Sequence, residues 1–484
     1  MKVLFVAAEA VPFIKTGGLA DVIGSLPKEL CKSGIDARVV LPKYEDIPQE
    51  YKDKMVTVAS SQFVIYGSTR HFNIQKLTVD GVVTYFIEND YFFKRHGLYG
   101  HFDDAERFAF FCRAAMMLIE LVDFVPDVIH SHDWHAALTG VYLRAYYQEH
   151  GKYTNIKNVF TIHNLKYQGI FDKSVFFDLL DLEWNYFSSD KLEYHDKVNF
   201  MKGGIIFADM VSTVSGTYAK EIQSPYFGEA LDGLLSACSH KLTGIVNGID
   251  YDFYNPAKDT MIPFNYTVDN VRQQKVKNKA ALREKLGLNS HIKPNMDTVP
   301  MIAMISRLVD SKGFDLVLNI LDELLYNENA QFVVLGTGDW HIVNRLHEIQ
   351  NRHSHKLAVY IGFDEKLAHQ IYAAADMFVM PSLYEPCGLS QMMAMRYGAL
   401  PIVRETGGLY DTVHAYNKHT GEGNGFSFYQ YADWDLLATI RRALDVYNHE
   451  PKAWNQLVVQ AMESDYSWNN SAKTYTTMYE KILG

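Results

Sequence analysis

The chain has 484 residues, which at roughly 150 residues per domain sets a prior of about three domains. Its composition, 48% hydrophobic and 21% charged with 31 Gly and 14 Pro, is an ordinary globular balance and excludes a disordered or collagen-like chain. With 46 Lys+Arg against 57 Asp+Glu the net charge is −11, which argues against a nucleic-acid coat because counterion release needs a basic footprint.

In chain order, residues 2–8 form a continuous apolar run, as expected of a parallel strand covered on both faces. The run is too short for a secretory h-region and Glu9 interrupts its end, so it reads as a first strand rather than a signal peptide. Lys15-Thr16-Gly17-Gly18 follows as a loop, and Val22, Ile23, Leu26 and Leu30 recur at helical spacing up to Gly34. Strands are predicted over 35–40, 82–87, 127–130, 158–161 and 210–214, with helices over 107–121 and 136–146. A second series begins beyond Asn247-Gly248-Ile249-Asp250. It has strands over 301–305, 332–335, 359–362, 377–380 and 400–403, alternating with helices, and three final helices from Asp433, Lys452 and Ser471. Strands alternating with helices predict an α/β fold of two doubly wound, Rossmann-like domains. No uncharged stretch reaches the length of a membrane span, and four scattered cysteines, Cys31, Cys112, Cys238 and Cys387, form no Cys-x-x-Cys pair. A reduced, cytoplasmic protein is the expectation.

Ligands of open α/β sheets bind beyond the carboxyl ends of the strands, so the loops leaving those ends carry the functional candidates. Lys15-Thr16-Gly17-Gly18 suits an anion, since glycines let the backbone approach and a helix start favours negative charge; the plain alternative is a turn with a solvated lysine. The loop matches neither a Walker A nor a dinucleotide glycine pattern. Gly336-Thr337-Gly338 lacks the third glycine of a nicotinamide site and reads as a structural turn. Arg307 and Lys312 on one strand-to-helix loop suit a diphosphate, Arg as a fork and Lys as a point charge. Glu385-Pro386-Cys387-Gly388-Leu389-Ser390 opens a helix. Backbone N–H groups of Gly388, Leu389 and Ser390 would face a phosphate, and Glu385 a ribose hydroxyl or a cationic reacting centre. Thr406-Gly407-Gly408 is a second candidate phosphate cradle. His130-Ser131-His132-Asp133-Trp134-His135 invites a metal reading, but no cysteine or distant carboxylate completes it; a sugar contact through Asp133, Trp134 and His135 is preferred. His163-Asn164 lies at another strand edge.

These motifs together resemble those of bacterial glycogen synthases and plant starch synthases, which use nucleotide-sugar donors on a GT-B scaffold of two Rossmann-like domains facing a deep interdomain cleft. The resemblance spans essentially the whole chain and is carried most specifically by Lys15-Thr16-Gly17-Gly18-Leu19-Ala20-Asp21-Val22. It implies an N-terminal domain over 1–245, a nucleotide-sugar-binding domain over 246–465, and a C-terminal helix over 466–484 that crosses back. It also implies transfer of glucose from ADP-glucose to the non-reducing 4-OH of an α-1,4-glucan with retention, with no metal or other cofactor. By motif, Lys15, Gly18, Asn247, Arg307, Lys312, Phe363, Gly388, Leu389, Ser390, Thr406, Gly407 and Gly408 would bind the donor. Asp21, Asp133, Trp134, His135 and Asn164 would line the sugar and acceptor site, and Glu385, His163, Lys312, Arg307 and Lys15 would be the catalytic group. Phe363 stands where relatives often carry an adenine-stacking Tyr, and Ser390 where Thr is common; both leave base preference less defined. The domains would close over the donor to exclude water. The partners expected are ADP-glucose and a glucan (glycogen or a maltooligosaccharide), not nucleic acid or membrane, and no oligomeric state is specified. The alternatives are a UDP-glucose-dependent GT-B transferase and a catalytically silent glucan- or nucleotide-binding protein.

Overall fold

The computed structural model describes residues 1–65, 67–288 and 298–484. The chain divides into two compact units, Met1–Gly248 with Trp468–Gly484, and Ile249–Ser467.

The strands of the first unit are β1 (Lys2–Val6), β2 (Asp36–Pro42), β3 (Val56–Ile65), β4 (Ser68–Val79), β5 (Val82–Glu88), β6 (Val128–His132) and β7 (Lys157–Ile162), then β8 (Ile170–Asp172), β9 (Glu193–Tyr194), β10 (Lys197–Asn199), β11 (Met210–Thr213) and β12 (Leu242–Gly244). Among the described residues the main sheet has the order β12-β11-β7-β6-β1-β2-β5-β4-β3, and β8, β10 and β9 form a small separate sheet. From β12 to β5 the pairing is parallel, with β3 and β4 added as an antiparallel hairpin on the edge. Strand β1 lies between β2 and β6, so the winding direction reverses there. The crevice beyond the carboxyl ends of β1 and β6 is therefore the binding position of such a sheet.

Helix Gly18–Lys32 forms because Leu19, Ala20, Val22, Ile23, Leu26 and Leu30 make one apolar stripe, all of it buried. It ends at Ser33, followed by Gly34 at φ +86°. Helix Trp468–Leu483 packs on it, and Tyr475 and Tyr479 are fully buried.

The second unit carries β13 (Met301–Ile305), β14 (Gln331–Gly336), β15 (Leu357–Ile361), β16 (Met377–Met380), β17 (Leu400–Arg404) and β18 (Phe426–Phe428). Its order, β15-β14-β13-β16-β17-β18, all parallel, is that of a Rossmann sheet with the reversal at β13. Helix Phe314–Asn327 covers one face through eight buried side chains from Phe314 to Leu325.

Two local expectations change, and one element is new. The strand predicted over 127–130 runs to His132, so the turn begins at Asp133. The helix predicted over 136–146 is broken into Asp133–Ala136, Leu138–Tyr142 and a wider-wound turn at Leu143–Tyr147. The β3–β4 hairpin has no counterpart in the sequence reading, because its solvent-facing side leaves only a partial apolar pattern. Among the described residues no helix is long and apolar enough to cross a membrane.

Candidate functional site

In the second unit two loops leave adjacent strands at the reversal point and lie against each other. Gly313 has φ +79°, and a Cβ there would stand 2.2 Å from the Pro381 carbonyl oxygen, so only glycine lets the loops approach so closely. The Leu383 N–H donates to the Ser311 carbonyl at 3.0 Å, locking the two together. As a result Lys312 and Glu385, distant in sequence, form an ion pair of 2.6 Å, and Ser382 donates to the same Glu385 oxygen at 2.9 Å. Glu385 is buried, whereas Arg307 is exposed. The cavity above them is lined by Arg307, Lys312, Ser382, Glu385 and the turn Gly388–Ser390. Two cations and a carboxylate held on rigid strand ends can receive a diphosphate and oppose a positive centre beside it.

Around this turn some residues are at hand for a ligand and others support it. Gly388 has φ +71° and, with Leu389 and Ser390, borders the cavity, although the Ser390 hydroxyl is hydrogen-bonded with Tyr372. Thr406-Gly407-Gly408, read from sequence as a phosphate cradle, is buried behind the turn. The Gly408 N–H donates to the carbonyls of Glu385 and Pro386, at 3.1 and 3.2 Å, and is therefore a strut for the Glu385 loop rather than a free phosphate donor. Gly407, at φ +46°, is forced by the same contact, since a Cβ would stand 2.0 Å from the Glu385 carbonyl oxygen. Gly336-Thr337-Gly338 is a structural turn. Thr337 accepts from the Leu308 N–H and Asp339 donates back to the Leu308 carbonyl, both at 2.8 Å, which fixes the base of the Arg307 loop. Phe363, just beyond β15, is 87% exposed, an open ring face for a planar base.

In the first unit the loop after β1 is organised by Glu9, a residue the sequence reading used only to discount a signal peptide. Its carboxylate accepts from the Thr16 backbone N–H, the Thr16 hydroxyl and the Gly17 backbone. Burial is the main reason its pKa is raised. The signal available in the sequence was a lone carboxylate at the end of an apolar strand, followed by a glycine loop. Helix Gly18–Lys32 starts at Gly17 without a side-chain cap, and exposed Lys15 pairs with Asp21 at 2.7 Å. An uncapped helix start beside a lysine is an anion-compatible surface.

The loop after β6 departs more from expectation. Asp133 sits at φ +56°, and its Oδ1 accepts from the His163 N–H at 2.8 Å, tying the loop after β6 to the one after β7. Burial lifts its pKa to about 7, with Glu9 adding to the rise. Trp134 and His135, assigned from sequence to the sugar site, are instead turned into the core. Trp134 packs on Phe108, His135 and Phe171 at centroid distances of 5.1, 4.1 and 5.6 Å, and His135 lies 4.4 Å from the Tyr99 ring. A helix begins at Asp133, which swings the next two side chains off the strand edge.

His163 and Asn164 lie half-buried at the end of β7; desolvation pushes His163 down to about 3, so its ring is neutral. His163 Nε2 is 2.9 Å from His132 Nδ1. His130 is bound on both nitrogens, to the Tyr479 hydroxyl at 2.7 Å and to Thr161 at 2.5 Å. The His130 and His132 pair that suggested a metal is thus built into hydrogen bonds with its neighbours. Asn247 is buried, and its side-chain oxygen has no partner among the described residues.

Comparison with known proteins follows the same division. The family profile of the starch synthase catalytic domain matches residues 2–237, and that of glycosyl transferases group 1 matches residues 289–456. A glycogen synthase of Geobacillus thermodenitrificans is 51% identical over 483 residues, covering 100% of this chain and 98% of the relative. One from Bacillus cereus is 48% identical, covering 100% of both. The catalytic domain of starch synthase IV from Arabidopsis thaliana, solved bound to ADP and acarbose, superposes with a TM-score of 0.90 at 35% identity over 99% of each chain. A sucrose-phosphate synthase from Thermosynechococcus elongatus, at 16% identity and a TM-score of 0.62, shares the fold.

Proposed function

This chain belongs to the glycogen and starch synthase family, GT-B glycosyltransferases with glycogen synthase function, and on that premise we propose its donor, acceptor and division of labour. The donor is ADP-glucose, and the acceptor is the non-reducing 4-OH of an α-1,4-glucan. The relative solved with ADP and acarbose supports a nucleotide and a glucan-like ligand in the same family.

Breaking the glycosyl–phosphate bond puts growing negative charge on the diphosphate and positive character on the sugar. Arg307 and Lys312 would meet the first, with Lys15 and the start of helix Gly18–Lys32 as further positive groups; fixed donors in a water-poor site are worth most where charge develops. Glu385 would stand beside the second, assisted by backbone carbonyl oxygen near His163. His163 and Asn164 would contact the sugar, with Asp133 setting their loop, and Phe363 would stack on adenine. The departing phosphate would take the acceptor's proton as the new bond forms on the same face, which gives retention and calls for no metal or separate base. A covalent adduct on Glu385, by analogy with retaining glycosidases, is the less favoured route; trapping such an adduct by mass spectrometry would reverse that preference. A reducing, cytoplasmic setting completes the reading and suits the free thiols of Cys31, Cys112, Cys238 and Cys387.

The observation that carries this proposal is the Lys312–Glu385 pair of 2.6 Å beside exposed Arg307. It is tested by incubating the protein with glycogen and either ADP-glucose or UDP-glucose and measuring incorporated glucose. Incorporation from ADP-glucose is expected. None from either donor would sink the assignment, and a preference for UDP-glucose would sink the donor alone.

A further inference from the structure

His132 carries information that the sugar-site assignment does not use. It is fully buried; its ring stacks on Phe5 at 5.7 Å and lies 4.1 Å from the His130 ring. Burial drives its pKa well below the ordinary imidazole value and that of His163 to about 3, so at neutral pH both rings are uncharged and each holds one proton. The contact between His132 Nδ1 and His163 Nε2 therefore contains a single proton, and one ring must donate to the other.

Two arrangements satisfy that contact. In the first, His163 carries its proton on Nε2 and donates, which leaves the His132 proton on its own Nε2. Among the described residues that buried atom has no partner, and His130 is not available to it because both of its nitrogens are engaged by Tyr479 and Thr161. A buried N–H with no acceptor is among the rarest and costliest defects in a folded protein. In the second arrangement His132 is protonated on Nδ1 and donates, its buried Nε2 is a bare lone pair, and no N–H is stranded. His163 must then hold its proton on Nδ1, the ring nitrogen to which the described residues supply no partner.

We propose that His132 is a positioning residue that fixes the proton of His163 on Nδ1, so that His163 meets the sugar as a neutral hydrogen-bond donor. The proposal rests on the assignment of His163 to the sugar and adds its direction: Nδ1–H donates to a hydroxyl oxygen, which accepts. A neutral donor also leaves positive character on the sugar unopposed, which an imidazolium would not. The orienting partner on the opposite nitrogen is the usual means by which proteins select a histidine tautomer.

Ring ¹⁵N spectra of the ligand-free protein labelled at histidine, with His163 assigned by its loss in His163→Gln, decide the tautomer without any turnover. A protonated-type shift at Nδ1 and a bare-type shift at Nε2 are expected; the reverse would overturn the proposal. His132→Phe keeps the stack on Phe5 but removes the donor, and should erase that preference and lower kcat/KM for the sugar donor by about tenfold, the loss of one buried hydrogen bond. His132→Asn, whose amide N–H falls near the Nδ1 position, should restore the His163 shifts and most of the rate. An unchanged His163 spectrum in His132→Phe would refute the positioning role; if that variant does not fold, the wild-type and His132→Asn spectra still decide. Failure of glucose transfer by the wild type would count against the sugar assignment and leave the tautomer result standing.

Discussion

At the ends of β13 and β16 the second unit presents charge: Lys312 on Glu385, with Arg307 exposed beside them. At the ends of β1, β6 and β7 the first unit presents mainly neutral groups, the His132–His163 pair, Asn164 and an Asp133 whose pKa is lifted to about 7; its ionic pair, Lys15 with Asp21, lies out on the helix start. Both sheets reverse direction at the corresponding strand, so topology alone gives them the same binding position. The side chains on the loops make the difference, charged beyond β13 and β16 and mainly neutral beyond β6 and β7. On a chain of net charge −11 an anionic ligand would need such a local concentration of cations.

The largest test of this contrast is in turnover. Lys312→Ala and Glu385→Ala should each lower kcat by well over about a hundredfold, the scale of lost transition-state electrostatics. Asn164→Ala, on the neutral side, should cost about tenfold, one hydrogen bond. Steady-state rates with ADP-glucose and glycogen read both, and equal losses on the two sides would break the comparison.

A second contrast lies in how stability responds to pH. Burial, aided by Glu9, raises Asp133 to about 7, above the value near ~4 of an unfolded aspartate. Between these values the folded state binds more protons than the unfolded, so this group makes stability fall as pH rises through the window, by on the order of 4 kcal/mol. In the second unit burial lowers Lys275 to about 7, while its Nζ donates to the Tyr397 and Tyr372 carbonyls at 2.9 and 3.1 Å. From there up to about 10.4 the folded state binds fewer protons, so this group makes stability rise with pH, by a similar amount. A pH series of urea unfolding curves should show Asp133→Asn removing the fall and Lys275→Met removing the rise. Unchanged slopes in both variants would refute the assignment.

The smallest expected effect is at Phe363. Phe363→Ala should weaken ADP binding by about tenfold through loss of a stacking face, and Phe363→Tyr should leave it within about twofold of the starting value. Calorimetric titration with ADP checks both, and equal binding by the Ala variant would remove Phe363 from the site.

Much of the fold, and the loops that make up the candidate site, could be read along the chain. Apolar runs of strand length alternating with helical stripes indicate two doubly wound sheets, because burial on both faces of a parallel strand leaves a pattern in consecutive residues. Glycines and cations at strand ends mark the Arg307–Lys312 and Glu385–Ser390 loops for the same local reason. Trp134 shows where that logic stops. An aromatic ring beside Asp133 reads as a sugar platform until Phe108 and Phe171 are seen against it. Gly408 reads as a phosphate donor until its N–H is seen on the Glu385 carbonyl.

Periodicity and loop motifs are local properties, so the order of residues tells which chemical groups exist and at which strand ends they stand. Which of them meet one another depends on the packing of the strands in three dimensions. Asp133 on the His163 N–H, Lys312 on Glu385 and His132 on His163 are hydrogen bonds between the ends of neighbouring strands. Their partners are chosen by which strands lie side by side, and where a buried polar group finds its one satisfying partner is a property of packing, not of spacing.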